Sequence, residues 1–87
     1  MSFYVYMLKS KSVAVITYVG YTNDLKKRIN QHNSGKGAKF TRGRKWTLIY
    51  KEKFKSKKEA ISREYYIKKH RYLRNRIKNE NSDPITF

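Results

Sequence analysis

The sequence predicts a small α/β domain: a three-stranded antiparallel sheet in the order 2-1-3, with helices packed around it. Three observations carry this expectation. Residues 3–9, 13–19 and 46–54 are rich in β-branched and aromatic side chains and alternate as strands do. Two later stretches, opening near residues 22–24 and at Ser56, carry helix-start signals ahead of apolar residues at helical spacing. The chain's 87 residues are enough for one domain with a modest core. We expect that domain over residues 1–80, followed by a flexible tail over 81–87.

Phe3 to Lys9 places Phe3, Val5 and Met7 on one face and Tyr4, Tyr6 and Leu8 on the other. Both faces are largely apolar, so this strand is expected at the centre, covered by helices on at least one side. Ser10-Lys11-Ser12 is turn-like, and Val13 to Val19 returns antiparallel to the first strand. Ile16 and Tyr18 share one of its faces; Val15, Thr17 and Val19 share the other. The register is open, but adjacent pairing brings Tyr6 and Tyr18 near each other. Gly20 reads as the sharp turn leaving the strand. Thr22 or Asn23 caps the helix that follows, and Asp24 favours its first turn. Leu25 and Ile29 form a narrow apolar stripe. Arg28 and His32, one turn apart, lie beside that stripe rather than opposite it, where an ordinary surface helix keeps its charges.

Gly35 ends this helix. Three glycines among Lys36, Lys39, Arg42, Arg44 and Lys45 then make a mobile basic loop suited to a phosphate backbone. It lacks the spacing of a Walker loop, and the alternative reading is a solvated surface loop. Trp46 to Phe54 forms the third strand, with Trp46, Leu48 and Tyr50 on one face and an edge-like polar end at Lys51-Glu52-Lys53. Ser56-Lys57-Lys58-Glu59 is a capping box that opens a second helix. Ala60 and Ile61 define its apolar face, Ile67 and Tyr65 border it, and Glu64 falls near its middle. A carboxylate facing inward costs on the order of several kcal/mol unless it is paired or binds a metal. Lys68, one turn on, is one candidate partner, and a metal ion is the other. Tyr72 to Asn79 continues as a short basic helix packing through Leu73 and Ile77, and the rest is polar and interrupted by Pro84.

The formal net charge is +16, a field that attracts polyanions. Nucleic acid is the expected partner. A membrane surface fits less well, because no basic helix carries a broad apolar face. Cysteine is absent, which excludes disulfides and cysteine-built zinc sites. No apolar run approaches the roughly 20 residues that span a bilayer, and Met1 to Lys9 lacks the basic start of a secretion signal. A soluble cytoplasmic protein, nucleoid-associated if the source is prokaryotic, is the expectation.

Cutting a phosphodiester requires an activated nucleophile, neutralised phosphoryl oxygens and help for the leaving oxygen. Tyrosine, with an ordinary pKa near 10, is a poor base. It becomes usable if cations depress that value or if a hydrogen-bond chain relays its proton. Arg28, Lys26, Lys27 and Lys68 supply cations, and Arg28 can grip a phosphate through two parallel hydrogen bonds. Glu64 offers a hard oxygen to one Mg²⁺ or Mn²⁺ ion. Taken singly, each residue has a plainer reading. Tyr6 and Tyr18 suit an amphipathic core, and His32 suits the last turn of its helix as a cation. His70 reads as surface.

Tyr4-Val5-Tyr6, then Tyr18-Val19-Gly20, an Arg ten residues after Tyr18 and a His four later resemble the signature of the GIY-YIG nucleases. The resemblance runs from Phe3 to about Lys68 and is nearest to the small stand-alone, UPF0213-like members. It implies the matching fold and a metal-dependent endonuclease in which water attacks DNA. Under it Tyr6 is the first choice for general base and Tyr18 orients water or phosphate, or the two exchange roles. Arg28 binds the scissile phosphate, His32 supports the tyrosines and Glu64 holds the metal. Gly20 keeps the turn close to the phosphate. Lys26, Lys27, Lys36, Lys39, Arg42, Arg44, Lys45 and Lys68 are expected along the nucleic acid. Two departures stand out: Tyr4 replaces the first signature glycine, and Asn75 and Asn79 are undistinguished candidates for the family's late asparagine. Larger members carry a separate recognition domain, so structured or damaged DNA, as met in repair or recombination, and a targeting protein partner are what the resemblance suggests. The alternatives are a non-catalytic basic nucleic-acid-binding module and an RNA-associated structural protein.

Overall fold

A computed structural model describes residues 2–11, 15–81 and 84–85. Three strands and three helices follow in the order β1 (Phe3–Ser10), β2 (Thr17–Thr22), α1 (Leu25–Asn33), β3 (Trp46–Phe54), α2 (Lys57–Lys69) and α3 (Arg71–Glu80), with one 3₁₀ turn at Lys39–Thr41. The sheet is antiparallel in the order β2-β1-β3, as the sequence predicts. Ser12, Val13 and Ala14, expected in the turn and second strand, lie outside the described residues, as do Ser82, Asp83, Thr86 and Phe87 of the expected tail.

β1 is central and apolar on both faces because both faces are covered. Val5 and Met7 join Val19, Ile49, Ala60, Ile67 and Ile77 in one cluster beneath α2 and α3. Tyr6 and Leu8 join Leu25, Ile29, Trp46 and Leu48 in a second beneath α1. Ala60 and Ile67 are both 0% exposed; the small Ala60 lets α2 approach the sheet closely.

Several local expectations are corrected. β2 begins at Thr17 and runs through Gly20 to Thr22, so Gly20 is not a turn. It pairs directly with Tyr6 in the ladder. The turn comes later: Asp24, not Thr22 or Asn23, caps α1, accepting the Lys27 N–H at 3.2 Å, while the Thr22 hydroxyl accepts the Asp24 N–H at 3.1 Å. α1 ends in a Schellman motif, with Lys36 N–H on the Gln31 carbonyl (2.8 Å), Gly35 N–H on the His32 carbonyl (3.4 Å) and Gly35 at φ +82°. In β3 the pairing with β1 slips between Met7 and Leu8. The bulge puts Ile49 and Tyr50 on the α2 side together, so Tyr50 leaves the face of Trp46 and Leu48. In α2 Ala60 and Ile67 are buried, with Glu64 half-buried between them. Ile61 (39% exposed) and Tyr65 (58%) face outward, the latter with the Lys69 ammonium 4.8 Å from its ring centroid. The capping box is present, with the Ser56 hydroxyl accepting the Glu59 N–H at 3.2 Å. Beyond α3, Ile85 N–H donates to the Leu48 carbonyl at 2.7 Å, and its side chain rests on the α1-side cluster.

Candidate active site

The β1–β2 register sets the first part of the site. Tyr6 lies opposite Gly20, and Tyr18 sits two residues earlier on β2, opposite Leu8 and on the same face as Tyr6. The two tyrosine rings are 6.4 Å apart between centroids. His32, in the last turn of α1, completes a triangle at 5.8 Å from Tyr6 and 5.0 Å from Tyr18. Gly20 makes the Tyr6 position available. A Cβ there would stand 2.5 Å from Tyr6 Oη and 2.7 Å from its Cζ, closer than a Cβ packs against any neighbour.

His32 is 0% exposed and is not a solvated last-turn cation. Its Nε2 is 2.8 Å from Tyr6 Oη and its Nδ1 is 2.8 Å from Thr41 Oγ1. Burial, with the Arg28 charge adding to it, pulls the His32 pKa down to about 4, so the ring is neutral near pH 7. Burial likewise pushes the Tyr6 pKa up to about 12; hydrogen bonding to Arg28 opposes this, while the Tyr18 and Glu64 charges add to the rise. Cations therefore do not make Tyr6 acidic. The hydrogen bond to His32 offers Tyr6 the other route, a chain that relays its proton.

The His32 shift fixes a pH dependence of stability. The folded state favours the neutral ring, so its contribution is complete above about pH 6.5 and is lost as pH falls toward about 4. That loss amounts to roughly 3 kcal/mol. Urea unfolding from pH 7 to pH 4.5 should show it, and His32→Gln should flatten that part of the profile. A His32→Gln profile parallel to wild type contradicts a buried neutral His32.

Arg28 occupies the turn of α1 before His32, half-buried, with its Nη1 donating to Gln31 Oε1 at 3.1 Å. It opens onto a cleft of about 500 Å³ that Lys27, Lys57 and Tyr21 also line. Glu64 and Lys68 come from α2, which packs on the other face of the sheet, and they meet the tyrosines around β2, an edge strand. The Lys68 ammonium stands 5.8 Å from the Tyr18 ring centroid and 3.6 Å from Glu64 Oε2. The Glu64 side chain is 18% exposed. A smaller cleft of about 230 Å³ crosses this edge, between Tyr18, Phe40, Lys68 and Arg74. Tyr6, Tyr18 and His32 thus touch one another, and the charges of Arg28 and Glu64 both reach Tyr6.

The expected nucleic-acid contacts are more scattered. Lys26, Lys27, Lys36, Lys39, Arg42, Arg44, Lys45 and Lys68 are all exposed. The Arg44 guanidinium lies 5.9 Å from the Phe40 ring centroid, and Lys45 donates to the Asn33 carbonyl at the end of α1 (3.3 Å). Residues 34–45 are tied rather than free. Asn33 grips both the N–H (2.6 Å) and the carbonyl (3.2 Å) of Trp46, and the indole N–H of Trp46 donates to the Thr41 carbonyl at 3.0 Å. Thr41 is 0% exposed, and Phe40 stacks on Tyr18 at 6.1 Å. Gly37 is pressed so closely to His32 that a Cβ would lie 2.5 Å from Nδ1. The sequence reading missed Thr41, Gly37 and Phe40 as site residues. Their only signal was an aromatic-threonine pair within a basic, glycine-rich loop.

Among the described residues no three His, Cys, Asp or Glu side chains gather into a metal site. Glu64 alone still fits a hard divalent ion of the Mg²⁺ type, which commonly takes one or two carboxylates and fills its remaining positions with water and substrate phosphate.

Known proteins place this arrangement in a class. The profile of the GIY-YIG catalytic domain matches residues 2–81, so the chain belongs to the GIY-YIG family, a nuclease superfamily acting on nucleic acid. Within it the chain is similar to the UPF0213 proteins. It is 58% identical over 67 residues to UPF0213 protein CPE1444 of Clostridium perfringens, covering 76% of this chain and 70% of that one. It is 52% identical over 68 residues to UPF0213 protein YazA of Bacillus subtilis, covering 77% of this chain but 65% of that protein's length. The solution NMR structure of UPF0213 protein BH0048 from Bacillus halodurans shares the fold, with TM-score 0.56, 41% identity and coverage of 97% of this chain and 89% of the other. Among the described residues no helix is long and apolar enough to cross a membrane.

Proposed function

We propose that this protein is a divalent-metal-dependent endonuclease that hydrolyses DNA phosphodiester bonds by direct attack of water. The observation that carries the reading is the buried Tyr6–His32 hydrogen bond of 2.8 Å, set beside Arg28 and within electrostatic reach of Glu64. A packing tyrosine has no need of a neutral histidine, a guanidinium and a carboxylate at its hydroxyl end. Tyr6 accepts the proton of the attacking water and Tyr18 orients that water or the phosphate. Arg28 neutralises the phosphoryl oxygens. His32 holds the far side of Tyr6. Glu64 would hold one Mg²⁺ or Mn²⁺ ion, which supplies Lewis-acid stabilisation of the leaving oxygen. The exposed cations Lys26, Lys27, Lys36, Lys39, Arg42 and Lys68 draw the strand in by charge. Residues 1–80 form the catalytic unit, a separate targeting protein chooses the DNA site, and a cytoplasmic or nucleoid setting suits these roles.

One observation favours the second reading, a non-catalytic binding module: Lys68 already pairs with Glu64 at 3.6 Å and satisfies it without a metal. The test is cleavage of labelled DNA with Mg²⁺, Mn²⁺ or EDTA, using wild type and Glu64→Gln, with binding measured on the same samples. The expected result is cleavage that needs metal and falls by roughly a hundredfold or more in Glu64→Gln, with binding retained. Binding without cleavage on every substrate selects the module. A Glu64→Gln protein that cuts like wild type removes Glu64 from the site.

A further inference from the structure

We propose that Thr41 is a positioning residue that fixes His32 in its Nδ1–H tautomer, so that Nε2 meets Tyr6 as a lone pair and the Tyr6 hydroxyl keeps its proton on the histidine side. Its consequence for rate rests on the nuclease reading above; the tautomer does not.

Three contacts in a row decide where the protons sit. Tyr6 Oη to His32 Nε2, His32 Nδ1 to Thr41 Oγ1, and Thr41 Oγ1 to the Ala38 carbonyl are each 2.8 Å. Every such contact between lone-pair atoms needs one proton between them. The Ala38 carbonyl brings none, so the Thr41 hydroxyl must donate to it. Thr41 Oγ1 then faces His32 with a lone pair, and Nδ1 must carry hydrogen. In a neutral ring Nε2 is bare, and Tyr6 donates to it. The opposite tautomer would leave two oxygens 2.8 Å apart with no hydrogen between them. A doubly protonated ring also fills all three contacts, but burial and Arg28 disfavour it.

The frame around Thr41 supports the role. Its side chain is fully buried, its carbonyl accepts the Trp46 indole N–H, and Gly37 lets the loop backbone lie against the imidazole. The loop that looked like a tether for phosphate therefore also orients a ring inside the protein.

The consequence for hydrolysis follows. With its proton directed at Nε2, Tyr6 keeps a lone pair, beside the one that faces Arg28, for a water. As the water oxygen bonds to phosphorus and the ester P–O bond breaks, the water proton passes to Tyr6 Oη and the Tyr6 proton to His32 Nε2. The leaving oxygen takes the bond's electron pair and is protonated from solvent. Nδ1–H stays on Thr41 throughout. The proton on Nε2 then returns to Tyr6, which releases one to solvent.

Long-range ¹H–¹⁵N correlation of the histidine rings near pH 7 tests this. Wild type should show His32 Nδ1 protonated and Nε2 bare. Thr41→Val keeps the side-chain shape without the hydroxyl and should lose that preference; Thr41→Ser should restore it. Cleavage should fall by roughly tenfold to a hundredfold in Thr41→Val and recover in Thr41→Ser, with DNA binding unchanged. An Nε2–H ring in wild type, or a Thr41→Val protein with the wild-type tautomer, overturns the proposal, and the wild-type spectrum decides even if Thr41→Val fails to fold. The expected tautomer in a wild type that cuts no DNA upholds the positioning role and overturns the nuclease reading alone.

Discussion

Tyr6→Phe should reduce DNA cleavage by roughly a hundredfold to ten-thousandfold, the range over which a positioned acid or base contributes. The substitution removes one oxygen from a residue that is 1% exposed and leaves its ring packing in place. It also leaves His32 Nε2 facing no donor, which costs about 1–3 kcal/mol of stability. The comparison that gives the result meaning is Tyr18→Phe. Tyr18 is half-buried, its ring lies between Phe40 and His32, and the Lys68 ammonium stands over it. A water-orienting or phosphate-orienting hydroxyl should be missed less, so Tyr18→Phe should retain more activity than Tyr6→Phe. Single-turnover rates at saturating DNA, with unfolding measured on the same proteins, check both. The reverse order moves the base to Tyr18. It would then be the more exposed tyrosine that accepts the proton, and Tyr6 with His32 would become its support.

The fold was legible where the pattern was local. Alternation on both faces of Phe3–Lys9 placed β1 at the centre, and Ser56 with Glu59 marked the start of α2 to the residue. Tyr6, Tyr18, Arg28, His32 and Glu64 were legible only as an ordered set, because each alone has a plainer reading. The rest depended on contacts that no spacing encodes. The bulge beside Ile49 adds one residue to β3 and flips Tyr50 to the other face, which strict alternation cannot anticipate. Ile61 and Tyr65 pointed inward by hydropathy, yet α2 turns the smaller Ala60 to the sheet and leaves Tyr65 to a cation. Glu64 was placed correctly on the inward stripe because it sits between Ala60 and Ile67, whichever neighbours complete the face. Thr41 was invisible: a small polar residue among cations becomes buried only because Trp46 and Asn33 close the loop over His32.

Gly20→Ala should lower both the stability and the activity of this protein. On backbone grounds alone it should help. Gly20 lies inside β2 and has no positive φ, and alanine in a strand is favoured over glycine by roughly 0.5–1 kcal/mol. A loss therefore reports the side-chain contact and nothing else. The added Cβ would lie 2.5 Å from Tyr6 Oη and 3.1 Å from Tyr18 Cε2. Tyr6 has little room to withdraw, because its ring belongs to a cluster that includes Leu25, Ile29, Trp46 and Leu48. Either the ring shifts and its 2.8 Å bond to His32 breaks, or β2 moves away from β1. Overpacking of this kind costs about 1–3 kcal/mol. A displacement of about 1 Å at a reacting group lowers the rate by roughly a hundredfold. Both losses should appear together, in urea unfolding and in single-turnover cleavage. A cycle with Tyr6→Phe locates the cause. If the phenolic oxygen is the obstacle, the double variant should be more stable than the two single losses added together. Additive losses would place the clash on the ring itself, whose Cζ lies 2.7 Å from the added Cβ and is kept in Tyr6→Phe, and a Gly20→Ala protein with wild-type stability and rate would mean that Tyr6 does not lie across Gly20.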